Sequence, residues 1–129
     1  NLIAGIGAST GLHPDFGTFW QGAPIGIPYM VVAGNQPMVP VNFTDWGDQS
    51  DAGPYPFPPN APVEGGASSD GDRHVLVIDR DNWKLYELFD AHPVNGGTRW
   101  TAGSGAVFDL SSNALRPADA RFLLPTLIV

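Results

Sequence analysis

Two glutamates and one histidine are the residues of this sequence best suited to acid–base chemistry. Glu64 and Glu87 are the only glutamates among the 13 acidic residues, and His74 lies between them in the chain. Hydrolysis of a glycosidic bond commonly requires two carboxyl groups, one of which donates a proton while the other attacks or activates water. Glu87, His74 and Glu64 are therefore the candidate catalytic residues. Glu87 would be the acid, His74 would tune it, and Glu64 or a loop aspartate would be the second carboxylate.

A predicted β-hairpin determines whether Glu87 and His74 can meet. Residues 74–79 and 83–90 are rich in β-branched and aromatic residues, and an Asp-Asn turn sequence separates them. Side chains alternate along a strand, so Glu87 shares its face with apolar Leu85 and Phe89, and partial burial there favours the protonated acid. A turn of two or four residues puts His74 on the face of Glu87, whereas a turn of three residues separates them.

Ordinary structural roles are the alternatives for both carboxylates. Glu87 could instead be a carboxylate at the sheet rim that pairs with Arg73, Arg99 or Lys84. Glu64 precedes two glycines in a long loop and could be a solvated loop acid.

Aromatic residues close to turns provide a second kind of candidate site. We predict that Trp46, Trp83, Tyr86 and Asp90 bind substrate, because an aromatic face can stack on a sugar ring while polar neighbours bond its hydroxyl groups. The alternative is that such rings cap a thin β core.

The sequence predicts no transition-metal centre and no organic cofactor. There is no cysteine, and the three histidines lack the short spacings typical of metal sites. A structural calcium site stays open, since Asp45, Asp48 and Asp51 recur at every third position of a predicted loop.

The composition indicates a loop-rich all-β protein. With 16 glycines and 13 prolines, few segments are long enough for an average helix. We predict one domain over residues 1–129, folded as an antiparallel β-sandwich or jelly-roll-like structure with little or no helix.

A second hairpin is predicted from strands at 27–33 and 38–44. These strands should lie at a sheet edge, because Pro28 and Pro40 have no N–H with which to donate a hydrogen bond. The connection over residues 45–71 should pack partly onto the domain.

Charge and hydropathy restrict the partners. A net charge of -7 disfavours nucleic acid and anionic lipid, and no apolar run approaches the roughly 20 residues that cross a bilayer. We therefore expect no nucleic-acid partner and no membrane insertion. The acidic, lysine-poor composition is common among exported proteins, so we predict a secreted or cell-surface location.

Five segments of the chain resemble a functionally uncharacterised family of exported bacterial and fungal proteins. They are LHPDFG at 12–17, GIPY at 26–29, PNAPVEGG at 59–66, DRHVLVIDRD at 72–81 and SNALRP at 112–117. The resemblance implies export but supplies no catalytic residues. It also implies a longer chain after residue 117, so we expect this sequence, which departs at Ala118, to end earlier than its relatives.

These observations favour an exported carbohydrate-active protein. Its enzymatic form would be a glycoside hydrolase that uses carboxylate acid–base chemistry. The alternatives are a non-catalytic carbohydrate-binding module and a structural or self-associating cell-surface protein.

Overall fold

A computed structural model of the protein describes residues 19–20, 23–24 and 26–114. These residues form nine β-strands: β1 (Phe19–Trp20), β2 (Ala23–Pro24), β3 (Tyr29–Val32), β4 (Val41–Phe43), β5 (Val75–Asp79), β6 (Lys84–Phe89), β7 (His92–Val94), β8 (Arg99–Ala102) and β9 (Ser104–Asp109). The only helical element in this part of the chain is a 3₁₀ turn at Gly47–Gln49. The predicted all-β class is confirmed. Within the same residues, no helix has the length and hydropathy needed to cross a membrane.

Most of the strands form two sheets, of four and three strands. The larger sheet has the order β3-β5-β6-β9, the smaller has the order β4-β8-β7, and β1 pairs with β2. The pairs β3–β5 and β4–β8 are parallel, whereas the other pairs are antiparallel. The sheets are therefore mixed and not antiparallel throughout as the predicted antiparallel sandwich or jelly roll requires, because long connections return the chain in the parallel sense in two pairs.

The central hairpin forms as predicted from β5 and β6. Asp79 is paired with Lys84, so the turn consists of residues 80–83. Glu87 lies opposite Leu76, two positions along the strand from His74, and the four-residue turn therefore puts Glu87 and His74 on one face.

The second predicted hairpin does not form. A turn does follow β3, where the Gln36 N–H donates to the Ala33 carbonyl at 2.9 Å, but β4 then joins the other sheet. The edge positions predicted from Pro28 and Pro40 are correct among the described strands, because β3 and β4 are each outermost in their sheet there. An edge strand tolerates a missing N–H donor.

The two sheets share one hydrophobic core. Val75, Val77 and Leu88 from the large sheet belong to the same buried cluster as Trp100 from the small sheet. The long connection contributes to this cluster, as predicted: its residues Tyr55 and Phe57 are fully buried, and their rings stack with centroids 5.8 Å apart. The opposite face of the large sheet carries His74 and Glu87. The motif at 12–17 and the C-terminal residues 115–129 lie outside the described residues.

Candidate functional site

His74 and Glu87 form a contact in the protein interior. Neighbouring strands position them: His74 immediately precedes β5, and Glu87 lies on β6. The distance from His74 Nδ1 to Glu87 Oε1 is 3.0 Å, and the two side chains are 2% and 1% exposed. Glu87 is therefore not a rim carboxylate, and its contact is with His74 rather than with Arg73, Arg99 or Lys84.

The Glu87 carboxylate is poorly satisfied for a buried group. The His74 contact meets the distance of an ion pair but not the angular geometry of a hydrogen bond, and neither Glu87 oxygen makes another hydrogen bond within the described part of the chain. Removing charges from water costs several kcal/mol per ion, which such a contact only partly offsets. Buried titratable pairs of this kind add little stability and are often found at functional sites.

Glu64 joins the same cluster through the backbone of His74. The main-chain N–H of Glu64 donates to the His74 carbonyl at 2.9 Å. The Glu64 side-chain oxygen Oε2 accepts the main-chain N–H of His74 at 3.2 Å. Glu64 is half-buried, so it is more than a solvated loop acid. The three predicted catalytic residues are thus brought together: Glu64 is hydrogen-bonded to the backbone of His74, and Glu87 contacts the His74 ring.

Two members of the cluster, His74 and Glu87, are enclosed. His74 is 1% exposed and Glu87 is not exposed at all. Proton transfer requires a group within about 3 Å of the substrate atom. In the described conformation a substrate cannot approach the Glu87 carboxylate.

Trp46 lies near this cluster as a packed ring. The Phe89 ring lies between the two: its centroid is 5.4 Å from that of the His74 ring and 5.9 Å from that of the Trp46 ring. The main-chain N–H of Trp46 donates to the Gly103 carbonyl at 2.9 Å. Trp46 is only half-buried, so it combines a packing role with an accessible edge.

Two other predicted binding residues have partners within the fold. Tyr86 is on the core face of β6, where its ring lies 5.4 Å from that of Tyr55, and burial raises the pKa of the Tyr86 hydroxyl. Asp90 follows β6 and contacts His92 Nε2 through Oδ1 at 2.9 Å. Neither residue forms a binding surface with Trp83: Tyr86 faces the core, and Asp90 lies at the opposite end of β6 from Trp83, roughly 20 Å away at the usual strand rise.

Trp83 is the most accessible of the predicted binding residues. It is 62% exposed in the turn between β5 and β6, and its backbone is in the left-handed region with φ of 52°. That conformation is rare for a bulky residue and costs about 1–2 kcal/mol. Glycine would occupy such a position without this cost, and asparagine adopts it more often than other residues.

The turn holding Trp83 is fixed by the buried carboxylate of Asp79. This carboxylate accepts the Asn82 side-chain amide at 2.8 Å and the main-chain N–H groups of Asn82 and Asp81 at 3.0 and 3.2 Å. The hydrogen bond from the Asn82 side chain is the main reason that the pKa of Asp79 is lowered. On the other side, the Trp83 carbonyl accepts the Leu110 N–H at 2.9 Å. Trp83 is thus displayed from a rigid turn.

A surface depression lies beside Leu110, whose N–H donates to the Trp83 carbonyl. It has a volume of about 340 Å³, and its lining includes Leu110, Ser112 and Asn113. Lys84 and Asp109 form an ion pair at 3.0 Å beside it. Hydrogen bonds from Ser111, followed by the contact with Lys84, hold the pKa of Asp109 at about 2.

The described residues contain no group of three or more His, Asp or Glu side chains that could hold a metal ion. Of the predicted calcium ligands, Asp45 accepts the Thr44 hydroxyl at 2.9 Å, and Asp51 accepts the Val107 N–H at 2.7 Å.

Comparisons of the chain with models of known protein families, with curated proteins and with solved structures give no significant match. Function must therefore be inferred from the site itself. Sequence reasoning considered Arg73 only as a possible partner of Glu87 and missed that it is buried beside the glycine-rich loop 64–72. An arginine in a segment dominated by Gly, Ala, Ser and Asp is the signal that could have found it.

Proposed function

We propose that this protein is an exported carbohydrate-binding protein that engages its ligand through Trp83. The observation that supports the proposal is a largely exposed tryptophan held in a left-handed backbone conformation. Such strain, which the rest of the structure must offset, is typical of functional positions. Export to the medium or the cell surface is part of this proposal and rests on the composition of the sequence.

The surroundings of Trp83 suit a neutral, hydroxyl-rich ligand. The Arg80–Asp81 contact at 3.4 Å and the Lys84–Asp109 contact at 3.0 Å offset charges of opposite sign around the turn. The depression beyond Leu110 offers the polar side chains of Ser112 and Asn113. A flat apolar ring with nearby hydrogen-bonding groups and little net charge matches a sugar ring better than it matches an ionic partner.

Binding fits the geometry better than cleavage does. Trp83 is accessible, whereas the Glu87 carboxylate is fully buried. A binding module needs only the accessible ring and its polar neighbours, while a hydrolase needs its acid in contact with substrate.

A glycan array tests the proposal when wild type is compared with Trp83→Ala and Tyr29→Ala. Tyr29 is a matched control, because it is 64% exposed and lies on the edge strand β3, away from the turn. Loss of a central aromatic contact costs at least about 1.4 kcal/mol, a factor of ten in affinity. We expect Trp83→Ala to reduce glycan binding at least tenfold and Tyr29→Ala to leave it unchanged. Absence of glycan binding by wild type, or equal binding by both variants, would refute the proposal.

A glycoside hydrolase is the second candidate, favoured by the convergence of Glu64, His74 and Glu87. In this mechanism Glu87 would protonate the leaving oxygen, His74 would tune that acid, and Glu64 would act as the second carboxylate. It requires a movement that opens the cluster to substrate.

Release of reducing ends from a polysaccharide panel measures this activity directly. The hydrolase hypothesis predicts cleavage by wild type and loss of cleavage in a folded Glu87→Gln variant. Asp70→Asn is the control, since Asp70 is an exposed carboxylate of the long connection. Cleavage that survives Glu87→Gln unchanged would eliminate Glu87 as the acid.

A further inference from the structure

Arg73 is a buried cation with no acidic partner among the described residues. It is 5% exposed, and the ion pairs found in this part of the chain all involve other side chains. Arginine is almost never buried without a partner, because the loss of hydration is costly.

Backbone carbonyls occupy three of the five N–H donors of the Arg73 guanidinium. Its Nε donates to the Ala91 carbonyl at 3.2 Å, and Nη1 donates to the carbonyls of Ala67 and Ser69 at 3.2 and 2.6 Å. These bonds fix the guanidinium plane. The bonds to Ala67 and Ser69 also hold loop 64–72 in place. Gly65 and Gly66 of this loop both have positive φ.

The two remaining donors are on Nη2, which makes no hydrogen bond within the described part of the chain and is not one of its buried unsatisfied atoms. Nη2 therefore keeps some contact with solvent, although Arg73 as a whole is only 5% exposed. Arg73 is also part of the lining of a surface groove of about 360 Å³. A fixed guanidinium with free donors at a groove is well arranged to receive an anion, because its binding geometry is preorganised.

The rest of the groove is mainly apolar. Its walls include Pro59, Pro62 and Pro93, together with the exposed side chain of Ala67. Its volume is at the lower end of the range for small-molecule sites. An inorganic anion would leave these walls uncovered, whereas an organic anion would bury them.

We propose that this Arg73 groove binds a small organic carboxylate, with the carboxylate on Nη2 of Arg73 and the apolar body against the prolines. The chain carries a net charge of -7, so the attraction is local to Arg73 and not a property of the whole surface. This site lies outside the Trp83 turn and does not depend on the carbohydrate proposal.

A ¹H–¹⁵N NMR titration with benzoate and benzamide tests this inference. The two compounds have similar shapes, but only benzoate is charged. We expect saturable shifts of the Arg73 Nε–H and of the Gly66 and Ala67 amides with benzoate, and at least tenfold weaker binding of benzamide. A parallel titration with glucuronate determines whether an acidic sugar also supplies the carboxylate.

Ala67→Trp blocks the groove without removing any donor of Arg73, since only the Ala67 carbonyl contacts the guanidinium. Ala52→Trp is the matched control at another exposed alanine. Benzoate should bind Ala67→Trp at least tenfold more weakly than wild type, and it should bind Ala52→Trp as wild type does. The inference is overturned if wild type shows no saturable shift with benzoate, if benzamide binds equally well, or if Ala67→Trp retains full affinity.

Discussion

The backbone strain at Trp83 can be measured by comparing Trp83→Gly with Trp83→Ala. Both substitutions remove the indole ring, so any packing that the ring contributes is lost equally. They differ in the Cβ atom, which the left-handed conformation at φ of 52° disfavours. The difference in stability between the two variants therefore reports the strain and not the ring.

The expected size follows from two opposing effects. A Cβ in the left-handed region costs about 1–2 kcal/mol. Glycine loses about 0.5–1 kcal/mol more than alanine in conformational entropy on folding. At the middle of both ranges, Trp83→Gly should therefore be more stable than Trp83→Ala by about 0.8 kcal/mol. For a urea m-value of about 1–3 kcal/mol/M, this corresponds to a midpoint roughly 0.5 M higher.

Urea unfolding followed by circular dichroism measures this difference. Arg80 is the matched control, because it is exposed in the same turn and is not one of the positive-φ residues. At Arg80 the order should reverse, with Arg80→Ala more stable than Arg80→Gly. If Trp83→Ala is more stable than Trp83→Gly by about 0.5–1 kcal/mol, as expected at Arg80, Trp83 is not strained and the main support for its functional role is lost.

Three further predictions concern the buried pair, a surface carboxylate and a tight turn. Glu87→Leu should destabilise the fold by about 3–5 kcal/mol in urea unfolding, because it leaves His74 buried without its partner. Adding His74→Leu should recover most of that loss. A double variant that loses the sum of the two single losses would contradict this interpretation of the pair. Asp109 has its pKa lowered to about 2, so its contribution to stability should be complete above about pH 4 and lost as the pH falls through 2. Asp109→Asn should consequently lower the urea midpoint at pH 6 but not at pH 1.5, and an equal effect at both pH values would show that ionisation is not responsible. Gly97→Ala should lower the free energy of unfolding by at least about 1–2 kcal/mol, because φ is +82° and the new Cβ would lie 2.5 Å from Pro59 Cα. An unchanged melting temperature in thermal unfolding would contradict this geometry.

Local sequence patterns predicted the central hairpin and the shared face of Glu87 and His74. Strand propensity, alternation and the Asp-Asn turn all act over a few residues, so they can be read without knowledge of the rest of the fold. The edge positions after Pro28 and Pro40 were predictable for the same reason, since a missing N–H has a local consequence.

Long-range pairings could not be predicted in this way. The turn after Ala33 exists, but strand β3 pairs with β5 in a parallel sense across more than 40 residues, and no local pattern specifies that partner. Burial of Glu87 was predicted only in part, because complete enclosure depends on packing across the sheet. The left-handed backbone of Trp83 and the carbonyl bonds of Arg73 likewise depend on tertiary contacts.

The most direct test of carbohydrate binding through Trp83 is an NMR titration that follows the indole N–H signals of the tryptophans. The ligand is the oligosaccharide with the strongest response on the glycan array. Trp100 is an internal control, because it is 1% exposed and belongs to the core. We predict a saturable shift of the Trp83 indole N–H while that of Trp100 stays in place. Saturable binding that leaves the Trp83 signal unmoved would contradict the central claim.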